Sequence, residues 1–159
     1  MLRVTPGRRR RRRYLHTSCA VVAVSIAAGG CSAYAGGSAQ SRVRSWASSA
    51  GVVALDHQLA SDVSGVTRAR SEGKMLYVKT LCAVLVDDAE QAYVQLPAPD
   101  QGLNQLLASA YKDLADGGTD CDNGGGGGDA IASKGFGEIA AGSTSLQDAT
   151  SSLARLGVK

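Results

Sequence analysis

The chain reads as an all-α protein whose mature part forms an antiparallel four-helix bundle running up-down-up-down. Three observations lead there. Apolar residues recur at steps of three and four through four successive stretches, the spacing that lines one face of a helix. No strand-like alternation persists anywhere along the chain. Ala, Leu, Val, Ser and Gly dominate while Trp46 and Phe136 are the only residues of their kinds, a composition suited to close helix packing rather than to a β-sandwich. A three-helix bundle with a loosely attached first segment is the alternative.

Residues 1–30 are expected to be a targeting segment rather than fold. Seven arginines and no acid precede an apolar run from Cys19 to Ala28, too short for the roughly 20 residues of a spanning helix but suited to a cleaved signal. Arg11 and Arg12, followed by Arg13-Tyr14-Leu15, resemble a twin-arginine export pattern, the general secretory route being the other option. Ala28-Gly29-Gly30-Cys31 resembles a lipobox, in which the Cys31 thiol takes a diacylglycerol and becomes the first mature residue. A competing A-x-A site, Ala33-Tyr34-Ala35, would instead release soluble protein after Ala35. Residues 31–41, small and Gly/Ser-rich, read as a flexible tether, and 42–159 as the helical domain.

Export changes the charge account. The whole chain carries 17 Lys and Arg against 14 Asp and Glu, yet seven of the cations and none of the acids precede Cys31. The mature part is therefore acidic. An arginine block explained by export gives no ground for a nucleic-acid interface.

The first predicted helix runs from Arg42 to about Arg70, with Trp46, Val53 and Ala60 seven apart, Val52, Leu55, Leu59, Val63 and Val66 beside them, and Arg44, Ser48, Asp62 and Arg68 opposite. Gly65 and Gly73 bracket a fraying end. The second carries Met75, Val78, Cys82, Leu85, Ala89, Tyr93 and Leu96 on one stripe and stops at Leu96-Pro97, since proline lacks the amide that the ladder needs. The third restarts with Pro99 at its first position and Asp100 at the positive end of the dipole, then shows Leu103, Leu107, Ala110 and Leu114, with Gly117-Gly118 fraying its last turn before Cys121. A Gly-rich loop over 123–128 is a linker by composition. The last helix starts near Asp129 as N-cap and presents Ile131, Gly135, Ile139, Gly142, Leu146, Ala149, Leu153 and Leu156.

With Cys19 in the targeting segment and Cys31 acylated, Cys82 and Cys121 remain as a pair for an oxidising compartment. Closing that loop contributes about 4 kcal/mol by chain entropy; two buried free thiols are the other option. Both cysteines fall on inward seams. Their distances from the Pro97 turn differ by about nine residues, roughly 13 Å along a helix, to be absorbed by fraying or a bend near Gly117.

No constellation in the chain specifies a reaction. His57 is the one histidine beyond the targeting segment and reads as a boundary residue on a helix. Asp87, Asp88 and Glu90 read as a solvated acidic face. Asp120-Cys121-Asp122-Asn123-Gly124, with Asp116 and Asp129 nearby, matches parts of a calcium loop but puts Gly124 at the fifth position and Ile131 where the bidentate glutamate belongs. No metal, cofactor or catalytic residue is expected.

The Arg-rich lipobox signal, the helix bearing Cys82 and ending at Leu96-Pro97-Ala98-Pro99-Asp100, and the second cysteine after the next helix together resemble small exported lipoproteins of actinomycete-type bacteria. That resemblance implies location and fold. The function expected is a non-enzymatic interaction or accessory module, held to the outer face of the cell membrane by diacylglycerol on Cys31 and meeting an envelope protein or a ligand; the alternatives are a carrier of a small apolar ligand and a soluble secreted protein.

Overall fold

The computed structural model of the protein describes residues 37–126 and 128–158. Arg11, Arg12, Cys31 and the Ala33-Tyr34-Ala35 site lie outside the described residues, as does most of the tether. Within them the chain is all helical, with five helices and no strand: α1 (Ala39–Ala50), α2 (Val52–Ser71), α3 (Met75–Tyr93), α4 (Gln101–Asn123) and α5 (Ala130–Arg155). Among the described residues no helix is long and apolar enough to cross a membrane.

The first helix differs from expectation at both ends. It begins at Ala39, inside the stretch read as tether, because the Ser38 hydroxyl accepts from the Ser41 amide and caps it. It then stops at Gly51, whose φ of 65° breaks the ladder and starts α2 on a new axis. The break resets the phase of the apolar stripe. Trp46 is buried but Val53 is half-buried and Ala60 exposed, while Val52, Leu59, Val66 and Ala69 form the inward row of α2. Gly65 does not fray it; α2 continues to Ser71 and ends at Gly73, where the amides of Gly73 and Lys74 satisfy the Arg70 and Ala69 carbonyls.

In α3 the buried row is Val78, Cys82, Leu85, Ala89 and Ala92. Met75 and Tyr93, expected on that stripe, are largely exposed, since the steps 4, 3, 4, 3 from Val78 reach Ala92 rather than its neighbour. The helix ends before Leu96-Pro97, whose peptide bond is cis. Asp100, not Pro99, opens α4: it is the N-cap, its Oδ1 accepting from the Leu103 amide at 2.8 Å.

Cys82 and Cys121 have their sulfurs 2.04 Å apart and their Cα atoms 6.0 Å apart. The register difference is not absorbed by fraying, because α4 is unbroken through Gly117 and Gly118, both buried. Instead α4 starts beyond the end of α3. Tyr93 and Val94 sit level with Tyr111 and Lys112, so the first turns of α4 project past α3 and residues 94–100 span the difference. That connection is held by the Trp46 indole, which donates to the Gln95 carbonyl at 3.1 Å, and by the Ala98 amide, which donates to Asn104 Oδ1 at 2.8 Å.

Gly117 and Gly135 let α4 and α5 approach backbone to backbone. A Cβ on Gly117 would lie 2.7 Å from the Gly135 carbonyl oxygen, and one on Gly135 would lie 2.6 Å from the Gly117 oxygen. No larger residue fits there. The α5 row is Ala132, Gly135, Ile139, Gly142, Leu146, Ala149 and Leu153, with Ile131 exposed and Leu156 half-buried at its ends. The glycine loop before it is more than a linker: the amides of Gly125 and Gly126 donate to the Asp122 and Cys121 carbonyls at 3.0 and 2.9 Å and close α4. Asp129 caps α5, accepting from the Ala132 amide at 2.7 Å. Helix contacts follow chain order, α2 with α3, α3 with α4 and α4 with α5, and α2 also meets α5. The core of Leu, Val and Ala side chains lies between these four helices, joined by Val43, Trp46 and Ala47 of α1, with the S–S bond and Tyr111 inside it.

Candidate functional site

Two of the positions on the inward row of α2 carry carboxylates instead of apolar side chains. Asp56 stands four residues after Val52 and three before Leu59; Asp62 stands three after Leu59 and four before Val66. Helical spacing therefore carries both inward, at 6 % and 8 % exposure. Asp62 was expected on the opposite, polar face. The stripe read from Trp46 through an unbroken helix had the wrong phase, and the break at Gly51 accounts for it.

Each carboxylate meets a different helix. The Tyr111 hydroxyl of α4 donates to Asp56 Oδ1 at 2.7 Å, while Asp56 Oδ2 is buried with no hydrogen-bond partner. Burial pushes the Asp56 carboxyl up to about 6, against the opposing pull of the Tyr111 bond and of His57. The same burial, with the neighbouring carboxylate, pushes the Tyr111 phenol upward. Asp62 faces α3, where burial and the Asp88 carboxylate push it up to about 6 as well, and Gln58 donates to its Oδ1 at 3.0 Å. Its Oδ2 also lacks a partner. The expected acidic face of α3 is thus divided: Asp87 and Glu90 are exposed, and Asp88 is drawn half inside beside Asp62.

Asp56 opens onto a groove of about 570 Å³ between α2 and α5. Val63, Leu146, Leu153 and Val158 give its apolar walls, Asp56 its floor, and the exposed His57 its rim. Small side chains on α5 (Ser143, Thr150, Ser151) leave that volume unfilled. A second trough of about 540 Å³ continues from it past His57 and Val158 to Arg44 on α1. The volume lies in the range of roughly 300 to 1,000 Å³ common for small-molecule sites. Chemically the groove offers apolar contact and, at its floor, the Asp56 carboxylate, whose Oδ2 is buried without a partner.

The other candidates of the sequence are placed apart from it. Among the described residues no three His, Cys, Asp or Glu side chains converge to hold a metal ion. The acids around Cys121 have separate uses: Asp120 pairs with Lys134, Asp122 lies 3.9 Å from Lys79, Asp116 pairs with Lys112, and Asp129 caps α5. Asp56 itself escaped the sequence reading. Its signal was a carboxylate at a stripe position, visible once the phase of α2 is taken from Val52, Leu59 and Val66. Neither a protein-family model, nor a curated protein, nor a solved structure matches the chain.

Proposed function

We propose that this chain is an exported, lipid-anchored binding module without chemistry of its own, which holds a small, largely apolar ligand at the outer face of the cell membrane. The observation that carries the binding part is the groove between α2 and α5, with apolar walls of Val63, Leu146, Leu153 and Val158. The targeting part rests on the sequence: Arg11 and Arg12 in a cationic leader, a short apolar run, and small residues ahead of Cys31 as the diacylglycerol acceptor. A disulfide-linked Cys82 and Cys121 suits an oxidising compartment, and the resemblance to actinomycete-type exported lipoproteins points the same way. Cleavage after Ala35 would give the same domain in soluble form.

In this reading α2 to α5 run up, down, up and down. Support comes from the registers, since Cys82 meets Cys121 while Tyr93 meets Tyr111, and Gly117 approaches Gly135 while Gly142 approaches Leu114. Neighbouring helices with falling registers are antiparallel.

Native mass spectrometry of protein extracted from its host membranes tests the proposal. A bound small molecule, displaced by Leu146→Trp in the groove, is the outcome expected; protein that emerges bare from every gentle extraction would count against it. A second reading, docking of an envelope protein, draws on Leu76 in the first turn of α3 and Val94 just after its end, which are 82 % and 72 % exposed. Photo-crosslinking from position 76 that captures one defined protein would favour it.

A further inference from the structure

The groove holds a chemical asymmetry that narrows its ligand. Its walls are apolar, yet its floor is a carboxylate, and α5 brings no ionisable side chain to face it. Among the described residues the only other ionisable lining residue is His57, next in sequence and turned to the rim, and no described Lys or Arg lines the groove. Tyr111 uses Oδ1, so the capacity left on Asp56 is acceptor capacity at Oδ2, and no described residue fills it. A buried acceptor without a donor is a standing penalty in the folded state, relieved by any donor that reaches it.

We propose that the groove between α2 and α5 binds a small aliphatic amine, its ammonium group donating to Asp56 Oδ2 and its chain lying against Val63, Leu146 and Leu153. This rests on the ligand-binding reading above and assigns the ligand's class. An anionic amphiphile would meet the carboxylate with like charge, and a hydrocarbon would leave Oδ2 unpaired. An ammonium group satisfies the charge and the empty acceptor together, and a charge-assisted bond is the stronger kind. Oδ2 is itself buried, so an ammonium group reaches it as the carboxylate turns about its soft terminal torsion, with the Tyr111 hydroxyl following Oδ1. Ser143 and Ser151, eight residues apart on α5, add hydroxyl groups to the lining of the groove.

Isothermal titration of the folded, oxidised domain at pH 7.5 with three probes of one chain length, octylammonium, 1-octanol and octanoate, separates the possibilities. Octylammonium is expected to bind about tenfold or more tightly than 1-octanol, the worth of one charge-assisted bond, and octanoate to give no saturable heat. Asp56→Asn, which keeps an acceptor for Tyr111, is expected to bring octylammonium down to the level of the alcohol. Asp62→Asn, on the other side of α2, is expected to leave the preference intact. Equal binding of octylammonium and octanol by the wild-type chain overturns the amine assignment and leaves the groove as an apolar site. Binding of none of the three overturns the assignment and the ligand-binding reading together. A preference that survives Asp56→Asn places the ammonium elsewhere and also overturns it.

Discussion

Asp56 and Asp62 are the residues at which this helical domain departs from a plain apolar core. Each sits where spacing along α2 calls for Val or Leu, and each holds its proton to about pH 6 through burial. A folded-state pKa raised above the unfolded value means that the folded chain binds more protons in the interval between them. The contribution of these two groups is then complete below about pH 4 and is lost as pH rises through 6. The expected outcome is that urea unfolding at pH 5 gives a higher stability than at pH 8, and that Asp56→Asn removes roughly 1 kcal/mol of that difference. An unchanged pH slope in the variant would show that Asp56 is not buried as described. Tyr111→Phe acts on the same pair in the other direction: it strips the donor from Oδ1 and is expected to cost about 1 to 3 kcal/mol at pH 8 in the same titration. Tyr111 lies 55 residues from Asp56 in the chain, which is why the pair was illegible in the sequence. A carboxylate at a stripe position can be seen there; its partner on another helix cannot.

The helices show which local signals carry their meaning alone. Asp129 as N-cap and the proline stop after α3 were legible because each depends on the chemistry of one residue and its near neighbours. Gly135 was legible too, as a stripe glycine that permits close backbone approach, but Gly51 and Gly117 were not. A glycine tolerates a left-handed turn, a helix interior or a close backbone approach equally well, and only the fold selects among them. Thus the sequence suggested fraying at Gly117, whereas the structure uses it to seat α5. The difference is measurable. Gly117→Ala gains about 1 kcal/mol in helix propensity but forces a methyl against the Gly135 carbonyl, and a net loss of about 1 to 3 kcal/mol is expected. Gly137, also inside α5, has open space around it, so Gly137→Ala is expected to stabilise by up to about 1 kcal/mol. Thermal unfolding of both variants decides it: stabilisation by both would mean that α4 and α5 are not in backbone contact.

At the scale of the whole molecule, the S–S bond joins α3 to α4 across a core of small side chains, and it closes the loop that holds the 94–100 connection and most of α4. Reduction or Cys82→Ser with Cys121→Ser is expected to lower stability by about 4 kcal/mol through the entropy of the unfolded chain, read as a fall in the denaturant midpoint without loss of helical signal in native buffer. The fold class and the cysteine pair were readable from periodicity and elimination. The groove was not, because it depends on what α2 and α5 fail to fill between them. The proposed leader ends at Gly30, immediately before Cys31, and one measurement tests that joint directly: the intact mass, unreduced, of the protein taken from its host membranes. The account predicts a chain that starts at Cys31, carries diacylglycerol and is lighter by the two hydrogens of a Cys82–Cys121 bond. A chain that retains Arg11 and Arg12, with its cysteines free and unacylated, would contradict it.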